Sequence, residues 1–178
     1  PALGENMVEA CRQACKAAKS KGIKISCDLN YRGKLWTREQ AKIAMTDLCR
    51  YVDVCISNEE DAKDVFGIEA VATDIYGGSL NHEGYKSVAK QLADKFDFEM
   101  VAITLRESRS ASDNGWSAML YNAAEEKYCF SPKYDLHIVD RVGGGDSFGG
   151  GLIYSLLSGK DTQAAVNFAV AASAFSNW

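Results

Sequence analysis

The sequence predicts an α/β fold: a mostly parallel sheet flanked by helices, with an antiparallel hairpin at one edge. Three observations support this prediction. Apolar residues at helical spacing alternate with short apolar runs, and the connections between those runs are too long for hairpins. Two later runs are joined by a short polar turn, which is typical of an antiparallel pair. The 178 residues are 47% hydrophobic with only 2 Pro, a composition that indicates a globular chain rather than a disordered one.

The first half of the chain alternates helices with strands. Apolar residues recur every three or four positions over residues 5–21, and Gly22 is placed to end that helix. The elements expected next are a strand at 23–29, a helix at 37–52, a strand at 54–56 and a helix at 59–66.

Capping residues mark where the second and third of these helices begin. Thr37 and Gln40 have the spacing of a capping box, in which each side chain accepts a hydrogen bond from the backbone of the other residue. Ser57 and Glu60 have the same spacing, so that stretch reads equally as a plain helix start. Gly67 is expected to end the third helix.

The second half carries the hairpin and two apolar helices. A Gly-rich connection around Gly77 and Gly78 precedes the helix expected at 85–96. Asp161 is placed to cap the last helix. The elements expected here are a helix at 85–96, a strand at 100–105, hairpin strands at 116–121 and 127–130, and helices at 147–157 and 162–175.

Composition excludes several classes of protein. The net charge of -4, from 20 basic and 24 acidic residues without a basic stripe, argues against nucleic acid as a partner. No apolar run approaches the roughly 18 residues of a membrane span, and no secretory signal follows Pro1. The 6 cysteines include no CxxC pair and only 2 His accompany them, which favours free thiols over disulfides or zinc. We therefore expect a cytoplasmic protein, and self-association into a homo-oligomer is left open.

Residues 140–148 hold the most informative motif, in which Gly143, Gly144 and Gly145 precede Asp146. Backbone N–H groups at a helix N-terminus, unobstructed by Cβ atoms, receive phosphate or a developing anion. An adjacent carboxylate is placed to accept a proton from an attacking hydroxyl. The stretch is not a Walker A loop, since no Gly-Lys-Ser/Thr follows. By itself it fits a structural turn equally well.

Three further segments place the motif in a family. Residues 28–32 read Asp-Leu-Asn-Tyr-Arg, residues 57–62 read Ser-Asn-Glu-Glu-Asp-Ala, and residues 103–106 read Ile-Thr-Leu-Arg. Together with residues 140–148, in this order, they resemble the PfkB, or ribokinase-like, carbohydrate kinases. Within that family the sequence is most similar to kinases of 2-dehydro-3-deoxygluconate. The resemblance covers nearly the whole chain.

The resemblance implies a three-layer ribokinase-like fold and ATP-dependent phosphorylation of a primary hydroxyl of a sugar acid, with Mg²⁺. Asp146 corresponds to the catalytic base, and Gly143, Gly144 and Gly145 correspond to the anion hole. Arg32 and Asp146 are implied substrate contacts, and Asn58 and Asp61 are implied contacts of Mg²⁺ through water. The implied ATP-binding residues are Asn30, Arg32, Thr104, Leu105, Arg106 and Ser108.

The sequence departs from the family pattern at several positions. Asp61 stands where Glu is usual, and Arg106 replaces a customary glycine. Gly149 and Gly150 replace Ala-like residues, which weakens the first helical turns by about 1 kcal/mol each.

The family's first lobe and lid, and its C-terminal end, have no counterpart here. We therefore expect residues 1–178 to be a kinase core fragment truncated at both ends, inactive or poorly active alone. Two alternatives stay open: another sugar specificity, of the fructokinase or ribokinase type, or a non-catalytic α/β module that binds nucleotide or a protein partner.

Overall fold

The computed structural model divides the chain into two compact units, Pro1–Val101 and Ala102–Trp178. The connection predicted around Gly77 and Gly78 lies outside the described residues, as do Asp140 and Arg141 of the Gly-rich motif. The described residues are 1–69, 82–110, 112–139 and 142–176.

The first unit alternates helices with parallel strands. Strands β1 and β2 pair in parallel, with Ser26 opposite Val54 and Asp28 opposite Ile56. The strand predicted at 23–29 is shorter, because Ile23 is 53% exposed and lies before the paired stretch. The elements are α1 (Glu5–Ser20), β1 (Ser26–Asp28), α2 (Arg38–Leu48), a 3₁₀ turn (Cys49–Tyr51), β2 (Val54–Asn58), α3 (Glu59–Phe66) and α4 (His82–Phe96).

Helix capping follows the sequence at one helix and shifts by a residue at another. At α2, the capping box of Thr37 and Gln40 is confirmed, with both side chain–backbone bonds present. At α3, the capping residue is Asn58, not Ser57, whose hydroxyl donates instead to the carbonyl of Asn58. Gly67 ends α3 in the left-handed conformation, as predicted.

A buried carboxylate joins the elements of this unit. Asp53 is 5% exposed and accepts from the Lys19 ammonium at 2.5 Å and from the Ile25 N–H at 2.7 Å. Its backbone carbonyl accepts from the N–H groups of Glu99 and Met100. One residue therefore links α1 to the starts of the strands that follow it.

The second unit is antiparallel around β4. The predicted hairpin is confirmed, with β4 paired to β5 from Met119–Phe130 to Asn122–Lys127, and β6 pairs with β4 along its other part. The elements are β3 (Met100–Ser108), of which residues 100 and 101 belong to the first unit, β4 (Asp113–Asn122), β5 (Lys127–Phe130), β6 (Tyr134–His137), α5 (Gly144–Leu157) and α6 (Thr162–Ser176). The six strands give a mixed sheet flanked by helices, which confirms the α/β class.

Helices α5 and α6 pack closely through a glycine. A Cβ added at Gly151 would lie 3.1 Å from the Cα of Ala169 and 3.2 Å from the Cβ of Ala172. Asp161 caps α6, as predicted, by accepting from the N–H of Ala164 at 2.8 Å. Helix α5 begins at Gly144 rather than at residue 147, because the glycine run itself forms its first turn.

All six cysteines are free thiols. Burial raises the pKa of Cys27 to about 12 and also raises the pKa of Cys55, so both remain neutral at neutral pH. Within the described ranges, no three His, Cys, Asp or Glu side chains are grouped to hold a metal ion. Of the helices described, none has the length and hydropathy to cross a membrane.

Candidate functional site

The N-terminus of α5 is an open turn built from glycines. Gly143 caps the helix with φ 87°, a left-handed conformation that glycine adopts at little cost. The first bond of the helix runs from the N–H of Ser147 to the carbonyl of Gly143 at 2.8 Å. The four preceding N–H groups, from Gly143 to Asp146, therefore have no acceptor within the helix, as at any helix N-terminus. These groups carry the positive end of the helix dipole.

The surroundings of this turn leave room for a ligand and a reacting group. A Cβ built at Gly145 meets nothing within 4 Å, and Asp146 is exposed in the same first turn. An exposed carboxylate beside unpaired N–H groups has the geometry to accept a proton next to a bound anion.

A serine from the next helix fixes the turn in place. The buried Ser173 of α6 donates its hydroxyl hydrogen to the carbonyl of Gly144 at 2.7 Å. This bond ties the first turn of α5 to α6, so the N–H groups point in a set direction. Sequence reasoning missed Ser173, since a serine among alanines in an apolar helix gives no signal of its own.

The residues predicted from β3 divide between core and surface. Leu105 is 2% exposed and belongs to the core, whereas Arg106 and Ser108 are exposed. Thr104, Arg106 and Ser108 share one face of the strand, because side chains alternate along a strand. The Arg106 Nε–H donates to the Oδ1 of Asn114 at 3.1 Å, and the Ser108 hydroxyl donates to the same oxygen at 3.3 Å.

Asn114 was not predicted from the sequence. The hairpin strand was predicted to begin at Trp116, whereas β4 begins at Asp113 and includes Asn114. The residue is 2% exposed, so its side chain is a buried polar group of the strand. Its contact with Arg106 joins positions eight residues apart, which no local pattern reveals.

In the first unit, the loop after β1 carries the predicted contacts Asn30 and Arg32. Asn30 has φ 37°, in the left-handed region, and its N–H donates to the Oδ1 of Asp28 at 3.1 Å. Arg32 is exposed. The N–H of Tyr31, between them, donates to the Oδ1 of Asp61 at 3.2 Å. The structure therefore brings the loop after β1 and the start of α3 together.

Asn58 and Asp61 form a reciprocal pair at the start of α3. The N–H of Asp61 donates to the Oδ1 of Asn58 at 2.7 Å, and the Nδ2 of Asn58 donates to the Oδ2 of Asp61 at 3.0 Å. Burial raises the pKa of Asp61 to about 6, partly offset by the Tyr31 N–H, and the nearby Asp28 carboxylate raises it further. The ionised form of Asp61 is therefore costly in this setting.

These oxygens bear on the expected magnesium contact. Each carboxylate oxygen of Asp61 accepts one N–H, and a carboxylate oxygen has room for a second hydrogen bond. The contact of these residues with Mg²⁺ through water stays a prediction.

Comparisons with known proteins place this chain among carbohydrate kinases. Residues 3–176 match the pfkB family carbohydrate kinases. The 2-dehydro-3-deoxygalactonokinase of Haloferax volcanii is 29% identical over 174 residues, which are 98% of this chain and 48% of that protein. The crystal structure of 2-dehydro-3-deoxygluconokinase from Thermotoga maritima is 45% identical with a TM-score of 0.89, over 99% of this chain and 51% of that one. A PfkB family carbohydrate kinase from Listeria grayi is 32% identical with a TM-score of 0.83, over 99% and 51% of the two chains.

The chain thus spans about half the length of the relatives that it matches. The relatives from Haloferax volcanii and Thermotoga maritima are named as kinases of 2-dehydro-3-deoxy sugar acids.

Proposed function

Because this chain belongs to the pfkB family of carbohydrate kinases, we propose that it is the catalytic and nucleotide-binding part of an ATP-dependent sugar-acid kinase. The proposed reaction transfers the γ-phosphoryl group of ATP to the 6-hydroxyl of 2-dehydro-3-deoxygluconate. The names of the relatives from Thermotoga maritima and Haloferax volcanii support a 2-dehydro-3-deoxy sugar acid as the substrate class.

The chemistry proposed for this site is direct phosphoryl transfer. The substrate hydroxyl oxygen attacks the γ-phosphorus as its proton passes to the Asp146 carboxylate, and the bond from phosphorus to the leaving oxygen of ADP breaks. The unpaired N–H groups of Gly143, Gly144 and Gly145 stabilise the negative charge on the transferred group. Positioning and charge stabilisation supply most of the catalysis in reactions of this class.

The remaining predicted residues are proposed to bind the two substrates. Arg32 pairs with the sugar carboxylate or with ATP phosphates, since its guanidinium matches either group. Thr104, Arg106 and Ser108 on one face of β3, and Asn30 in the loop after β1, are proposed as nucleotide contacts. Leu105, also expected as a contact from the sequence, is 2% exposed and belongs to the core instead. ATP arrives as its Mg²⁺ complex, in which the metal neutralises phosphate charge, and Asn58 and Asp61 hold that metal through water.

The observation that carries this proposal is the α5 N-terminus, where three glycines leave open N–H groups next to an exposed Asp146. The test is ADP release from MgATP by the complete protein, in the presence of 2-dehydro-3-deoxygluconate, its galactonate epimer, fructose or ribose. We expect turnover with the sugar acids and at least 10-fold less with the neutral sugars, because those lack a carboxylate for Arg32.

Other results of this assay would indicate a different function for the chain. Turnover with fructose or ribose alone would indicate a fructokinase or ribokinase type. MgATP binding without turnover of any sugar would indicate a nucleotide-binding module.

We assign the activity to the cytoplasm, where the six free thiols remain reduced.

A further inference from the structure

Asn114 is a buried side chain that is only half satisfied. It is 2% exposed, and its Oδ1 accepts two hydrogen bonds, from Arg106 and Ser108. Its Nδ2 has no hydrogen-bond partner among the described residues, and neither has the Nε1 of Trp116, two residues further along the strand. A buried amide without a partner costs stability, so the presence of Asn114 here points to a role other than stabilising the fold.

The orientation of the amide follows from its partners. The Arg106 Nε–H can only donate, so the atom of Asn114 that faces it is the oxygen. Turning the amide over would place two donors against each other. The side chain is therefore held with its oxygen toward β3, at the expense of its own N–H groups.

Arg106 and Ser108 gain a fixed direction from this oxygen. Both are exposed, and an exposed arginine otherwise samples many rotamers. One buried acceptor that binds both of them removes much of that freedom before a ligand arrives. A guanidinium group and a hydroxyl held in register on one strand face make a site for an acceptor-rich anion such as a triphosphate.

We infer that Asn114 is a positioning residue for MgATP, acting through Arg106 and Ser108; the inference rests on the proposed kinase function. The buried amide of Asn114 sets the side chain of Arg106 in place. Asn114 makes no contact with the nucleotide itself.

The test compares Asn114→Ala with Asn122→Ala. Asn122 is a buried asparagine of the same strand, but its side chain is paired at both ends, with the N–H of Ala124 and with Glu125. In the complete protein, calorimetric titration with MgATP should show about 10-fold weaker binding for Asn114→Ala and a change under 2-fold for Asn122→Ala. The free energy of unfolding should show the opposite order, with a larger loss for Asn122→Ala than for Asn114→Ala.

A double-mutant cycle identifies the route of the effect. If Asn114 acts through Arg106, then Asn114→Ala has little further effect on MgATP binding in an Arg106→Ala background. The KM for ATP should rise in Asn114→Ala while kcat and the KM for the sugar acid stay within 2-fold. If Asn114→Ala does not fold, Asn114→Ser shortens the side chain, keeps a polar group and is expected to weaken MgATP binding similarly.

The NMR signal of the Arg106 Nε–H gives an independent readout, because it should exchange faster with water once Asn114 is replaced. Three results would each overturn the inference. They are an equal loss of MgATP affinity from Asn114→Ala in the wild-type and Arg106→Ala backgrounds, an unchanged MgATP affinity in Asn114→Ala, and an unaltered exchange rate of the Arg106 Nε–H. A wild-type protein that does not bind MgATP would overturn the proposed function and this inference together.

Discussion

Replacing Gly145 by alanine should change stability and nucleotide binding in opposite directions. The residue lies in the first turn of α5, it is not among the glycines with positive φ, and a Cβ there meets nothing within 4 Å. Alanine is favoured over glycine in a helix by roughly 0.5–1 kcal/mol. In a chain of this size, that raises the Tm by about 1–4 °C.

The same methyl group narrows the approach to the unpaired N–H groups. If it weakens MgATP binding by about 10-fold, it removes about 1.4 kcal/mol of binding free energy. At an ATP concentration of about 100 times the wild-type Kd, ATP stabilises the wild type by about 2.7 kcal/mol and the variant by about half of that. Thermal unfolding with and without MgATP measures both effects in one experiment.

Gly150→Ala is the matched control. Gly150 lies in the same helix, and a Cβ there also meets nothing within 4 Å. This variant should gain similar stability and keep the full shift with MgATP. Gly145→Val should reduce the shift further, and its backbone tolerates valine since the positive φ belongs to Gly143. A Gly145→Ala protein that keeps the full shift would refute the anion-binding role of the turn.

Three more predictions concern stability. Asp53→Ala should lower the free energy of unfolding by about 1–3 kcal/mol in urea, because it removes the buried acceptor of the Lys19 ammonium and of the half-buried Ile25 N–H, whereas the exposed control Asp94→Ala should cost under about 0.5 kcal/mol. Gly151→Ala should lower it by about 1–2 kcal/mol relative to Gly150→Ala, since the added Cβ meets Ala169 at 3.1 Å. The raised pKa of Asp61, about 6, means that the folded state binds a proton that the unfolded state releases near pH 4. The free energy of unfolding of the wild type, measured relative to Asp61→Asn, should therefore fall by about 1–3 kcal/mol as pH rises from 4 to 6.

For each of these three predictions, a contrary result would contradict one particular interaction. An Asp53→Ala protein as stable as Asp94→Ala would mean that the carboxylate does not hold the first unit together. Equal stabilities of the two glycine variants would contradict the close contact of α5 with α6. A pH dependence that persists in Asp61→Asn would belong to another group.

Local signals predicted the parts of the fold that local chemistry determines. The Thr37–Gln40 capping box and the left-handed Gly67 both follow from preferences of single residues within one turn. The start of α3 at Glu59 was predicted correctly, but its capping residue is Asn58 rather than Ser57, because both are good caps and only the backbone direction leaving β2 selects between them. The start of α5 was placed too late, since glycine is a poor helix former and the run Gly144–Gly145 gave no helical signal.

Contacts between distant residues could not be predicted in this way. The bond from Tyr31 to Asp61 joins a loop to a helix start 30 positions away, and Asn114 reaches Arg106 across two strands. Nothing in either segment alone marks these partners. The Gly-rich motif was found because its residues are adjacent, whereas the anchoring hydroxyl of Ser173 lies 29 residues away from Gly144 and was not.

The most direct test of the proposed kinase is the turnover of Asp146→Asn in the complete protein. Asparagine keeps the size of the side chain and removes the base, so kcat for the phosphorylation of 2-dehydro-3-deoxygluconate by MgATP should fall at least ~10²-fold. The Kd for MgATP should change by less than about 3-fold, since the N–H groups of the turn remain. Turnover close to that of the wild type would contradict the assignment of Asp146 as the base.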